Sequence, residues 1–434
     1  MLTSADFKAL MFCDGETAVP EKFIKTLETW KNRDIVNFSD TPNEQERSWY
    51  RFINGRYVES VFWSITGKCN YRCRHCYMDA EHGLLGEADT ATMLRLIDEI
   101  YEYGISSVDI TGGEPFVRKD FWQLIDHLRE KEIYVHKIYT NGACITEQVL
   151  REFDKRKLKP EFGISFDGIG WHDWMRGVDG AEQRTLDAIR LCKEYGYKVS
   201  IGLCAHKGNL STIRESINLL ATLGIDYVKI GLIQNTRLWQ ANSEGNDISL
   251  QEYIDLTTSY IPAFYEDGAP LELTIGGIVR MRAHSKEYRV VLEHADSCDE
   301  CKGKHLCESA WYSCYITPDL RLLPCMPMTS NEDLSMFPKI YDVGGLGEAL
   351  NGSFYAKYLG AEINDLLEKN EHCRSCEQKY ICRGGCRAEA FLGEDHDLWG
   401  RDLISCYIYK NNIPAKVHEI VKKAQENFKV TEGG

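Results

Sequence analysis

The chain has 434 residues, enough for two or three structural units, and its 43% hydrophobic and 27% charged content leaves little room for extended disorder. Its formal net charge of −15 repels phosphate backbones, which argues against nucleic acid as a partner and leaves a basic peptide as a weak electrostatic fit. No segment is long and apolar enough to cross a bilayer, and the opening MLTSADFKALMFCDGE lacks the basic and apolar regions of a secretory signal, so no membrane partner is expected and the expected location is the cytoplasm.

Residues 1–58 hold one amphipathic helix candidate, EKFIKTLETW from Glu21, followed by a polar linker or loop, SDTPNEQERS. This segment either recognises a peptide or caps the barrel expected after it. Over residues 59–250, β-rich runs alternate with helix-length apolar periodicity. The runs are VESVFWSIT, SSVDIT, YVHKIYT, EFGISF, KVSIGLCA and DYVKIGL. Six such units predict an α/β fold, a partial (β/α)6 barrel of TIM type, with its chemistry at the C-terminal ends of the strands. The polar and glycine motifs fall at those ends: GKCNYRCRHC after the first run, GGEP after the second, TNG after the third and SFDG after the fourth. Regular alternation fades after about Leu250. Residues 251–297 read as a bridging region, 298–410 as a small cysteine-rich domain held by metal more than by an apolar core, and 411–434 as a closing helix.

Seventeen cysteines are too many to keep as disulfides in a reducing compartment, and metal ligation is their natural use. Cys13, Cys144, Cys192 and Cys204 are scattered and read as small buried hydrophobes. Cys69-x3-Cys73-x2-Cys76 follows a strand directly. Three thiolates so spaced wrap one face of a cuboidal iron–sulfur cluster and leave one iron open to an external ligand. Zinc is the competing occupant, and it needs a fourth ligand from His75 or His82. Ten further cysteines lie between Cys298 and Cys406, and CDECKGKHLC and CRSCEQKYIC share the spacing C-x2-C-x5-C.

The three cysteines, the aromatic Tyr77 after them, GGEP at Gly112, Gly113, Glu114 and Pro115, and the repeated β-α units together resemble the radical SAM superfamily. The resemblance implies S-adenosylmethionine (SAM) as cofactor, chelated to the open iron and cleaved by an electron from the cluster to a 5′-deoxyadenosyl radical. The two glycines then let backbone approach the methionine moiety, and the Glu114 carboxylate accepts from its amino group. Asn141, Ser165 and Asp167 occupy places where relatives bind SAM, and Arg176 resembles an arginine that pairs with the SAM carboxylate.

Cys373-x2-Cys376-x5-Cys382-x3-Cys386, then Cys406, preceded by Cys314-x10-Cys325, is similar to the pattern of SPASM domains. That resemblance implies two auxiliary 4Fe-4S clusters, three in all. Cys307, Cys314, Cys325 and Cys386 hold the first and Cys373, Cys376, Cys382 and Cys406 the second, with Cys298 and Cys301 left over as alternative ligands, redox thiols or an extra metal site. Leu320 stands where that family places a glycine, so a different turn is expected there.

The implied activity is modification of a ribosomally made precursor peptide by a thioether or carbon–carbon cross-link, or by epimerisation with Cys204 as the candidate hydrogen donor. An electron donor such as flavodoxin or ferredoxin is the second implied partner. A sulfatase-maturating enzyme is the nearest competitor, but it places an aspartate base where this chain has Met326. A non-enzymatic iron–sulfur electron carrier or a zinc scaffold would leave GGEP and the barrel without a role.

Overall fold

The computed structural model describes residues 9–10, 12–13, 18–32, 36–38, 58–80, 82–234, 236–291, 303–330, 333–393 and 397–428. The polar SDTPNEQERS stretch, Cys298 and Cys301 lie outside these. The chain divides into two compact units, residues 1–56 with 102–104, and residues 57–101 with 105–434. In the first, the helix expected from Glu21 spans Glu21–Lys31.

The second unit is built on one sheet. Its strands are β1 (Ser60–Ser64), β2 (Ser107–Thr111), β3 (Tyr134–Thr140), β4 (Glu161–Ser165), β5 (Val199–Ala205), β6 (Tyr227–Leu232), β7 (Glu272–Ile275), β8 (Val279–Met281), β9 (Tyr288–Val290), β10 (Ser313–Ile316) and β11 (Leu322–Leu323). Their order in the sheet is β11-β10-β1-β2-β3-β4-β5-β6-β7-β8-β9. β1 to β7 run parallel, each beside its successor, with helices between them, so the expected α/β fold with a parallel barrel-type sheet is present. The sheet goes beyond six strands in two ways. β7 adds a seventh parallel strand after the helix Leu250–Glu266, and β10, from the cysteine-rich region, pairs parallel with β1 on its other side.

Strand alternation gives the sheet two unlike faces. Val61, Trp63, Val108, Ile110, Ile138, Phe162, Ile164, Ile201, Leu203, Val228, Ile230, Leu273 and Ile275 are all at most 2% exposed and form the apolar face under the connecting helices. The opposite face carries Phe62, Asp109, Lys137, Glu161, Gly163, Gly202 and Lys229, a mixture that cannot close into a dry core. Among the described residues no helix is long and apolar enough to cross a membrane.

The ends of β1 and β2 are clasped together. Gly113 N donates to Thr66 O at 2.8 Å and Glu114 N to Lys68 O at 2.9 Å, which lays the Gly-Gly turn flat on the loop leading to Cys69. A Cβ at Gly112 would stand 2.7 Å from Thr66 O, and one at Gly113 2.2 Å from Lys68 O. Backbone on both sides leaves no flexible group to yield. The two glycines are therefore required by the cysteine loop itself, whatever ligand lies beyond it.

Gly113→Ala should accordingly destabilise the protein by about 1–3 kcal/mol, the cost of overpacking against fixed atoms. Gly202→Ala is the control, since its Cβ would meet nothing within 4 Å. Denaturant unfolding and iron uptake on anaerobic reconstitution measure both: Gly113→Ala should lose stability and iron, and Gly202→Ala neither.

Candidate SAM and iron–sulfur site

The cysteine loop, residues 65–80, is pinned from a second side by the helix His172–Arg176. Arg72 N donates to Arg176 O at 3.1 Å and Arg74 N to Met175 O at 2.9 Å. Each thiol meets a donor: Tyr71 N lies 3.4 Å from Cys69 Sγ, Arg176 Nη1 3.6 Å from Cys73 Sγ, and Ala80 N 3.4 Å from Cys76 Sγ. Burial pushes the Cys69 thiol up to about 12, and the neighbouring charges of Cys73, Glu114 and Cys76 add to the shift. Cys73 and Cys76 are raised by burial in the same way. Three thiols this reluctant to ionise alone are suited to a strongly cationic partner that binds all of them as thiolates.

The spacing of the three sulfurs does not favour a single zinc ion. Zn–S bonds of about 2.3 Å would bring the sulfurs to about 3.8 Å from one another, yet among the described residues these three are not gathered within 4.8 Å. The two histidines weighed as fourth ligands are directed elsewhere. His82 Nδ1 lies 2.7 Å from Asp79 Oδ1, and the His75 ring lies with Asp167 and Cys204, within 4.8 Å of both. Sulfurs spread wider than one ion requires fit a cuboidal iron–sulfur cluster.

Glu114 is fully buried. Its carboxylate accepts from Thr140 Oγ1 at 2.9 and 3.0 Å, from Asn141 N at 2.8 Å and from Phe116 N at 3.3 Å. Burial raises it to about 7 against the pull of those donors. The residue read as an acceptor for SAM is thus a latch between the ends of β2 and β3. Asn141 is carried on this latch; its Nδ2 donates to Asn70 Oδ1 at 2.8 Å and stands 3.9 Å from Cys69 Sγ. Tyr77 follows the third cysteine, and burial raises its phenol well above the usual range. Ser165 ends β4 beside Gly202 of β5, and its hydroxyl has no hydrogen-bond partner among the described residues.

Asp167 and Arg176, both expected to meet SAM, instead meet each other at 2.7 Å, with Asp167 fully buried and Arg176 7% exposed. Burial alone would raise the Asp167 carboxyl, but Arg176 and His172 outweigh it and hold it well below the carboxylate range. Arg176 is raised in turn: burial opposes, while Asp167 and the Cys73 thiolate prevail. Sequence does not reveal the pairing, because either residue alone suits an external ion and only folding brings the two charges together. His172 extends the network. Its Nδ1 accepts from Asp167 N at 3.0 Å, so Nε2 carries the proton toward Thr185 Oγ1 at 3.1 Å, and Thr185 donates on to Asn141 O at 3.2 Å. Nothing in the sequence pattern singles out His172, Thr185 or His75 as partners. The same holds for Arg184: its Nε reaches Tyr71 OH at 3.4 Å within the cysteine loop, and among the described residues it has no carboxylate partner.

Cys204 ends β5 with its backbone N 3.2 Å from Asp167 Oδ1. Burial, then Asp167, pushes its thiol up to about 12, and its charge also reaches Cys73.

In the cysteine-rich region Cys373, Cys376, Cys382 and Cys406 line one pocket with His372 and Lys410. Cys325 is coupled to Cys386 and Cys307, and burial drives its thiol beyond the usual range. Cys314 is a correction. It is 1% exposed in β10, in register with Val61 of the apolar face, while the next residue, Tyr315, points the other way into the cluster that Cys325 packs against. Strand alternation therefore turns Cys314 away from Cys325, and its thiol is raised to about 12 by burial. The two thiol sets are knitted by Asp402, which accepts from Cys386 N at 2.8 Å and from Ser405 N at 3.0 Å. Arg387, 2% exposed, stands between the sets: its charge reaches Cys386, Cys373 and Cys382, and Nη1 donates to Leu398 O at 2.8 Å and Gly400 O at 3.0 Å. Leu320 departs from the expected different turn. It takes the left-handed φ of 65° that a glycine would take, at about 1–2 kcal/mol, and its burial at 8% exposed offsets that cost. Met326 opens the turn Met326–Ser330 and packs against the same apolar cluster, so no proton acceptor stands there.

The region that carries the three-cysteine loop is similar to known proteins. The profile of the radical SAM superfamily matches residues 63–220. The PqqA peptide cyclase of Gluconobacter oxydans is 27% identical over 337 residues, covering 76% of this chain and 86% of that protein. The Fe-coproporphyrin III synthase of Methanosarcina barkeri is 31% identical over 219 residues, or 49% of this chain and 54% of that one. Streptococcus suis SuiB bound to S-adenosylmethionine superposes with a TM-score of 0.63 over 88% of both chains at 18% identity, a likeness of fold. Strand order, the latched three-cysteine loop and the profile match converge on residues 63–220, which form a radical SAM domain.

Proposed function

We propose that this protein is a radical SAM enzyme that modifies a precursor peptide, forming a thioether or carbon–carbon cross-link or epimerising a residue. The observation that carries the reading is the arrangement of three thiol sets in one structural unit, the first latched to the Gly-Gly-Glu turn. The likeness to PqqA peptide cyclase runs over three quarters of the chain, well past the radical SAM domain, and supports it. Met326 in place of an acid disfavours the sulfatase-maturating alternative, and a plain electron carrier has no use for the latched turn.

In this reading residues 59–250 carry the radical chemistry and residues 298–410 the auxiliary clusters. Cys69, Cys73 and Cys76 hold a 4Fe-4S cluster which, with SAM bound, supplies the electron that splits SAM into methionine and a 5′-deoxyadenosyl radical. Arg176 keeps positive charge against Cys73 and is itself held by Asp167, so both position the cluster loop. Arg184, near the same loop and without a carboxylate partner among the described residues, is the guanidinium for the SAM carboxylate; Asn141 and Ser165 line the approach. Cys373, Cys376, Cys382 and Cys406 hold one auxiliary cluster. Cys307, Cys325 and Cys386 hold the other, with Cys298 or Cys301 as the remaining thiol. A flavodoxin or ferredoxin supplies electrons.

Anaerobically reconstituted protein given dithionite and SAM should release 5′-deoxyadenosine, Cys76→Ala should release none while keeping the iron of the auxiliary sets, and absence of product from the wild type would end the reading. Arg184→Ala should fold normally and raise KM for SAM about tenfold to a hundredfold, the loss of one charge-assisted contact. Arg176→Ala should instead cost about 3–5 kcal/mol of stability by stranding the buried Asp167 carboxylate, seen as a lower unfolding midpoint. A short peptide encoded beside the gene, incubated in heavy water and read by mass spectrometry, should lose two hydrogens if cross-linked or take up deuterium if epimerised.

A further inference from the structure

The polar face of the sheet carries most of its charges in matched pairs; among the described residues Lys229 and, on the edge strand β9, Arg289 have no such partner. His136 lies 2.8 Å from Asp109, Lys137 lies 2.6 Å from Glu161, and Arg280 is bound by Glu272. Lys229 of β6 is on the same face, out of phase with the buried Val228 and Ile230. It is exposed, and among the described residues no acceptor meets its ammonium.

Its surroundings form a hollow. Gly202 of β5 lies in register on one side and Thr274 of β7 on the other, with Ser165 of β4 beyond Gly202. Gly202 sits in the middle of the sheet and is nonetheless exposed; a Cβ there would meet nothing within 4 Å, and one at Gly231 only Leu203 O at 4.0 Å. Glycine in a strand interior with open space above it leaves room for another chain to approach. The Thr274 hydroxyl is buried and has no hydrogen-bond partner among the described residues. The hollow adjoins the site already described: Cys204 lies two residues beyond Gly202 on the same face, in register with Gly231, and its backbone N stands 3.2 Å from Asp167 Oδ1.

We propose that Lys229, with the Thr274 hydroxyl beside it, is the seat of a substrate carboxylate, so that the peptide segment delivered to the radical bears an aspartate or glutamate, or its own terminal carboxylate, over Gly202. This rests on the peptide-modifying reading and names the chemistry of its substrate. An ammonium that no protein carboxylate binds among the described residues, next to a hydroxyl without a partner there, favours a carboxylate over a neutral or cationic side chain.

The test uses the holoenzyme, reconstituted anaerobically with SAM, and two libraries of random hexapeptides: one blocked at both ends, one with a free carboxyl terminus. Peptides retained by the protein are identified by mass spectrometry. From the blocked library the wild type should enrich Asp and Glu over Asn and Gln about tenfold. Lys229→Met should lose that preference, and Lys229→Glu should turn it toward Lys and Arg. Enrichment of the free-acid library alone, whatever its internal residues, would identify the terminal carboxylate as the group seated. Equal enrichment of Glu and Gln by the wild type in both libraries overturns the proposal without reference to any variant. So does a tenfold loss of SAM affinity in Lys229→Met, which would assign the lysine to the SAM carboxylate. Release of 5′-deoxyadenosine by the wild type, measured in the same preparation, reports the radical reading separately.

Discussion

The site depends on one contact between two pieces of backbone. The loop that carries Cys69, Cys73 and Cys76 lies directly on the Gly112–Gly113 turn, closer than any side chain would allow, and two backbone hydrogen bonds fix it there. Glu114 then ties that turn to the end of β3 through a carboxylate with no exposure to water. Burying a carboxylate is unfavourable unless several donors meet it, and here Thr140, Asn141 and Phe116 do so. The ends of three strands are thereby locked before any cofactor arrives, which is what a cluster bound by only three protein ligands needs from its surroundings.

Buried ion pairs perform the same task farther out. Asp167 holds Arg176 against Cys73, while between the two distal thiol sets Asp402 accepts from Cys386 N and Arg387 donates to Leu398 O and Gly400 O. Such pairs add little net stability compared with apolar packing of the same shape, but removing one partner leaves a charge stranded. They fix where sulfur sits. In a region of short helices and short strands around one apolar cluster, that is the more valuable property. β10 completes the arrangement by joining this region to β1 as a parallel strand.

Much of this is legible in the sequence, because cysteine spacing and strand periodicity are local. The six β-rich runs, the loop after each and the closing helix all lie where pattern places them. What pattern cannot show is pairing at a distance. β7 is four residues long and β10 is framed by cysteines, so neither announces itself, and only the sheet order reveals them as extra parallel strands. Cys314 has a spacing that suits a ligand, and its strand phase turns it into the apolar face. Asp167 and Arg176 each look available to a cofactor until their 2.7 Å contact is seen. Glu114 and the glycines do serve close approach, as their motif suggests, but what approaches them in this structure is the protein's own loop.

The central claim is that one iron on the Cys69, Cys73 and Cys76 set has no protein ligand and takes the amino and carboxylate groups of SAM. Electron–nuclear double resonance on the anaerobically reconstituted, reduced protein tests it most directly, with SAM carrying 15N in its amino group and 17O in its carboxylate. The account predicts hyperfine coupling from both labels to the reduced cluster, lost in Cys76→Ala. Absence of both couplings in wild-type protein that holds its full iron and its SAM would contradict it, as would zinc found at those three cysteines.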